Sequence, residues 1–127
     1  DDQRAVKQGW DTVIKNAMPP DLDGSLWFPD GIQPRINTME IVGRKYYERF
    51  GYIYYPEYKS FFCDNECTEV AQKLGKLIKG SEVLFKHHHR QSNQKLDKVD
   101  QLHEVNAKFW KHDEDLFYSR QKINFGL

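Results

Sequence analysis

Apolar residues in the first sixteen positions recur with helical spacing. In "RAVKQGWDTVIKN", Val6, Trp10, Val13 and Ile14 stand at i, i+4, i+7 and i+8, one face of a helix. Pro19 and Pro20 end it. From Ala17 to Ile36 the pattern dissolves into "AMPPDLDGSLWFPDGIQPRI", with four prolines, two glycines and three aspartates, a long irregular connection. Leu26, Trp27 and Phe28 inside it are expected to pin it to a surface. "NTME" then has the form of a capping box, with Asn37 as cap and Glu40 reaching back. Met39, Val42, Tyr46 and Phe50 follow at helical spacing, fraying near Gly51, and Pro56 starts a new turn. A third helix is expected from about Thr68, with Val70, Leu74, Leu77 and Ile78 on one side and Val83 and Leu84 beyond the weakening Gly80. "RQSNQ" is a polar break before a fourth helix carrying Leu96, Val99, Leu102, Val105, Phe109 and Trp110. Almost nothing alternates with period two. The pattern predicts an all-α fold of four or five helices, in one domain over 1–127, with an irregular loop at about 17–36.

Composition narrows the function. Lysine plus arginine equals aspartate plus glutamate, 19 each, so the basic excess of a nucleic-acid binder is missing. No apolar run approaches the roughly 18 residues of a membrane span. The chain opens "DDQRAVKQGW" with no signal peptide and no methionine, as expected of a processed or trimmed product. Mean hydropathy is −0.83, yet 14% of residues are aromatic, so large rings must supply much of any core. A chain this polar also suits a protein that completes its core with a bound ligand or a partner chain. Cys63 and Cys67 in "FFCDNECTE" fall short of the four ligands of a structural metal site, and they read as ordinary thiols or a local bridge.

The rings concentrate in "GRKYYERFGYIYYPEYKSFF", Gly43 to Phe62, nine aromatics in twenty residues. Tyr46, Phe50, Tyr54 and Tyr58 repeat every four positions, a stripe suited to a core or to a partner's face. The run His87, His88 and His89 reads as a solvated patch, because consecutive helical residues point about 100° apart. Asp97, Asp100 and Glu104 at helical spacing read as a wet face. The His112–Asp113 step lacks the cysteine frame and calcium loop that a phospholipase dyad needs. No phosphate loop is present and no pairing of nucleophile with base stands out, so an enzyme is not expected.

Laid end to end, these pieces resemble part of a globin. The likeness lies in "VKQGWDTV", in Gly43 with the aromatics after it, and above all in "PEYKSFF", Pro56 to Phe62. "DQLHEVNAKF" is similar to the family's leucine-histidine pair, and "INFGL" to the start of its next helix. The match covers roughly residues 4–16 and 38–127, with gaps. No histidine falls in the middle of the third helix, where Leu74, Gly75, Lys76 and Leu77 stand, and the family's last two helices have no counterpart. The resemblance implies haem, with Phe62 stacked on the ring, Tyr47 as distal donor, and Leu74 and Val99 lining the plate. His103 is the preferred axial ligand and His112 the substitute. Nine residues apart on one helix, the two are half a turn out of phase. Two functions are expected: haem binding with gas transport, electron transfer or sensing, or a non-catalytic helical accessory or scaffold subunit, without cofactor, held among other protein chains.

Overall fold

The computed structural model describes residues 3–87 and 96–127, with side chains described at 3–86 and 106–127. Short strands and helices alternate: β1 (Gln3–Ala5), α1 (Trp10–Ala17), β2 (Ser25–Trp27), β3 (Ile41–Val42), α2 (Arg44–Glu48), α3 (Cys63–Lys73), β4 (Leu77–Lys79), β5 (Phe85–His87) and α4 (Leu96–Lys122). A 3₁₀ turn at Asn124–Gly126 closes the chain. β1 and β5 pair antiparallel. A second sheet has the order β3-β2-β4, with β2 antiparallel to β3 and parallel to β4.

These sheets overturn the all-α, globin-like architecture expected from the pattern. The physical reason is length. Each strand is two or three residues long, too short for alternation to register. β2 would not alternate in any case, because Ser25, Leu26 and Trp27 are all buried between its two neighbours. Leu26 and Trp27, two of the three residues expected to pin the long connection to a surface, thus belong to the central strand of a sheet.

Three local expectations fail for identifiable reasons. Asn37 caps no helix: its amide Nδ2 donates to the Leu26 carbonyl at 2.9 Å and to Glu40 Oε2 at 2.8 Å. The Asn37–Glu40 partnership forms, but it braces β2, and the chain bends at Thr38 and Met39 before entering β3. The second helix is only five residues long, Arg44–Glu48, so the tyrosine stripe beyond Tyr47 leaves the helix at once. The third starts five residues early, at Cys63, and ends at Lys73. Gly75, at φ 68°, reverses the chain there and sends Leu77 and Ile78 into β4 instead of along a helix. Pro19 and Pro20 do follow the end of α1, and the apolar face from Leu96 onward does lie on a helix.

α4 is joined to the body by Asp113. Its carboxylate is fully buried and accepts backbone N–H bonds from Lys59 (2.9 Å), Ser60 (2.8 Å) and Phe61 (2.7 Å), while His112 Nδ1 reaches Oδ1 at 2.8 Å. These bonds fold the loop before α3, whose first turn springs from Phe62 in the left-handed region at φ 64°. A bulky residue stays there only when its surroundings over-determine it. The ring of Phe62 is held 4.9 Å from Trp110 and 5.6 Å from Phe117. Val70, Phe117 and Phe125 form the buried centre of this half, with Phe50, Tyr58, Phe62 and Leu74 against it.

Asp113→Ala strands three N–H groups and is expected to cost about 3 kcal/mol in urea unfolding. Burial pushes the Asp113 carboxyl up, but the N–H bonds and His112 outweigh it and hold it at about 2. Its folded value lies below its unfolded one, so its contribution is present above about pH 4 and is lost as pH falls toward 2. The unfolding midpoint of the native chain is expected to drop across that window, and that of Asp113→Ala to drop less.

Candidate functional site

Between α2 and α3 the aromatic residues form a ladder of rings. Tyr46 meets Phe50 at 6.0 Å between centroids, Phe50 stacks on Tyr52 at 5.7 Å, and Tyr52, Tyr55 and Tyr58 continue edge to face at 5.7 and 6.1 Å. Each ring fills its neighbour's face or edge. Beneath the ladder lies a buried ion pair: Arg120 Nε donates to Glu66 Oε1 at 2.5 Å, and Tyr58 donates to the same oxygen at 2.9 Å. The Arg120 guanidinium also lies 3.4 Å from the centre of the Tyr55 ring, a cation–π contact.

Glu40, Tyr46, Tyr52, Glu66, Cys67 and Arg120 line a cleft here with apolar Val42, Phe50, Val70 and Phe125. Its free volume is about 20 Å³, room for about one water molecule. Ligand pockets run to roughly 300–1,000 Å³. Desolvation dominates this cleft: burial pushes the Cys67 thiol and the Tyr46 and Tyr58 hydroxyls well up. Burial also raises Glu40 to about 7, against the lowering effect of its bonds from Ser25 Oγ and Asn37 Nδ2.

The residues expected around a haem lie in different places. Phe62 and Leu74 pack on the same apolar centre, but the described neighbours of the Phe62 ring are side chains of α4. Tyr47 stands exposed on α2. His112 is bonded to Asp113 and half exposed. Val99 and His103 belong to α4, and their side chains lie outside the described residues. Of the histidine run, His87 falls in β5, while His88 and His89 lie outside the described residues. Among the described residues no three His, Cys, Asp or Glu side chains converge on a point that could hold a metal ion, which overturns the metal-binding expectation there. Nothing described speaks for haem or oxygen binding.

Another concave feature is a trough of about 460 Å³ where the end of α1 meets β3. Ile14, Met18, Leu22, Ile41 and Val42 supply its apolar wall. None of the eight α1 residues is buried, although Val13, Ile14 and Ala17 share a face. Trp10 rests edge-on against Phe85 at 5.1 Å and is still 40% exposed. Val6 and Leu22 are exposed as well. No helix among the described residues is long and apolar enough to cross a membrane. No family model, curated protein or solved structure matches the chain.

Sequence reasoning missed Glu66, Arg120 and Asp113 as organising groups, and paired Glu40 with Asn37 but as a helix cap. Glu66 and Arg120 are 54 positions apart, as are Lys59 and Asp113, so no local spacing announces either pair.

Two measurements follow from the cleft. Arg120→Ala leaves a buried Glu66 carboxylate with only Tyr58 and is expected to cost about 3–5 kcal/mol in urea unfolding. Adding Glu66→Gln is expected to recover part of that loss, the sign of direct coupling. Glu40 is raised in the folded state, so its contribution is full below about pH 4.5 and is lost as pH rises through about 7. Glu40→Gln is therefore expected to flatten the fall in the urea midpoint between pH 5 and 7.5.

Proposed function

We propose that this chain is a non-catalytic docking module of a larger protein assembly. The observation that carries the reading is α1: its apolar residues Val13, Ile14 and Ala17 are only half-buried and Trp10 is exposed, beside a trough walled by isoleucine, methionine, leucine and valine. A helix of eight residues draws little stability from propensity alone and normally depends on burying its apolar stripe. Val6 and Trp10 extend the apolar surface along the approach to α1. Contiguous exposed apolar surface marks sites of protein association.

The interior fits the same role. Buried polar groups are committed to bracing the fold: Asp113 to a loop, Glu66 to Arg120, Asn37 to β2. The cleft beneath the tyrosines holds about one water, so the reading assigns that region to architecture and the outer face of α1 to work.

The tagged chain, run on a sizing column in extract from its own cells, is expected to elute well above its 15.1 kDa. Val6→Ser combined with Trp10→Ser is expected to return it to monomer size with its Tm lowered by no more than about 3 °C, because both side chains are exposed. A native chain that elutes as a monomer defeats the docking reading.

A further inference from the structure

We infer that the trough between α1 and β3 seats an extended segment of a partner polypeptide carrying apolar residues flanked by carboxylates. The inference rests on the docking reading and names where the partner lies and what it is made of.

Charge supplies the first argument. The charged residues in the trough's lining are Lys15 and Arg44, and no carboxylate lines it. Lys15 has no ion pair among the described residues, and the one carboxylate bonded to Arg44 is Glu48, one turn along α2 at 2.9 Å. An apolar floor between two cations disfavours a basic or wholly neutral occupant and attracts an acidic one.

Backbone geometry supplies the second. Leu22 is 45% exposed and sits at φ 61°, a region that a leucine rarely adopts. It is held there on three sides. Its N–H donates to the Pro19 carbonyl at 2.9 Å, its carbonyl accepts from the Tyr46 N–H at 3.3 Å, and Gly43 lies so close that a Cβ would collide with that carbonyl. The fold thus fixes an apolar side chain outward, at the edge of the trough, in a conformation with an intrinsic cost. Strain held in place this way is consistent with a position that serves a contact, because packing does not demand an exposed leucine there. The trough's far wall is β3, the edge of its sheet among the described residues, and a sheet edge receives an extended chain better than a helix.

The test is selection of a random twelve-residue phage-displayed peptide library on the purified 127-residue chain, with Leu22→Asp as counter-target. Enriched peptides are expected to combine Leu, Ile or Val with Asp or Glu, and a synthetic copy is expected to bind Leu22→Asp at least tenfold more weakly by fluorescence polarisation. Lys15→Glu with Arg44→Glu is expected to weaken that peptide at least tenfold and, in a repeat selection, to enrich lysine and arginine instead. Circular dichroism at matched temperature checks that each variant is folded. The inference is overturned by an absence of enrichment, by peptides without acidic excess, or by equal binding to the folded Leu22→Asp and double charge-reversal variants. Any of these three results with a chain that still elutes in a large complex removes this seat and leaves the docking reading standing. A monomeric chain in extract removes the docking reading itself.

Discussion

A buried carboxylate held by backbone N–H groups and by His112 governs how the two halves of this chain meet. Asp113 sits on α4, fully enclosed, and offers its two oxygens to three successive backbone N–H groups at Lys59, Ser60 and Phe61. Burying a charge is expensive unless its lone pairs are filled, and here the loop fills them. In return the loop acquires a shape it has no intrinsic reason to adopt. That shape places Phe62 in the left-handed region, aims its ring at Trp110 and Phe117, and launches α3. Asp113 thus ties α4 to the first turn of α3, and the Glu66–Arg120 pair joins the two helices further along.

The rest of the interior follows the same economy. Nine hydrophobic residues and seven polar or charged ones are buried among those described, so polar pairing has to do what aliphatic bulk does in a richer core. Glu66 and Arg120 neutralise one another beneath the tyrosine ladder, and Tyr58 completes the carboxylate's shell. Asp23, likewise buried, is held low first by its hydrogen bond from Arg49 and then by Lys76. Asn37 joins the loop before β3 to both β2 and α3, donating its side-chain amide to the Leu26 carbonyl and its backbone N–H to the Thr68 hydroxyl oxygen. Each link spans a long stretch of sequence, and each is directional. Such a core tolerates changes of volume better than changes of hydrogen-bonding capacity.

A polar interior also explains the apolar exterior. Buried large side chains are split between the Phe117 cluster and residues such as Leu26, Trp27 and Leu84, and others, Val6, Trp10 and Leu22 among them, stay exposed. Surface of that kind is stabilised by contact with another polypeptide. A docking role, with its seat in the cationic trough, is the reading that uses both the exposed leucine and the unburied helix.

What sequence alone determined were the features with local causes. The end of α1 before Pro19 follows from a ring that cannot continue a helix. The amphipathic run from Leu96 and the dependence on aromatic side chains are also set by spacing and composition. The strands were not legible, because each is decided by a partner remote in sequence, whereas the early end of α3 has a local cause in Gly75 that the helical spacing of Leu77 and Ile78 concealed. Ser25–Trp27 becomes a strand only because Ile41–Val42 and Leu77–Lys79 lie on either side. Asn37–Glu40 has the wording of a helix cap and is drawn instead to the carbonyl of Leu26, eleven residues back. Phe62 looks like a plate-stacking ring until α4 brings Trp110 and Phe117 against it. Helical periodicity is a property of a few neighbouring residues; the pairing of Asp113 with a loop 52 to 54 positions away is a property of the folded chain, and only the tertiary structure could decide it.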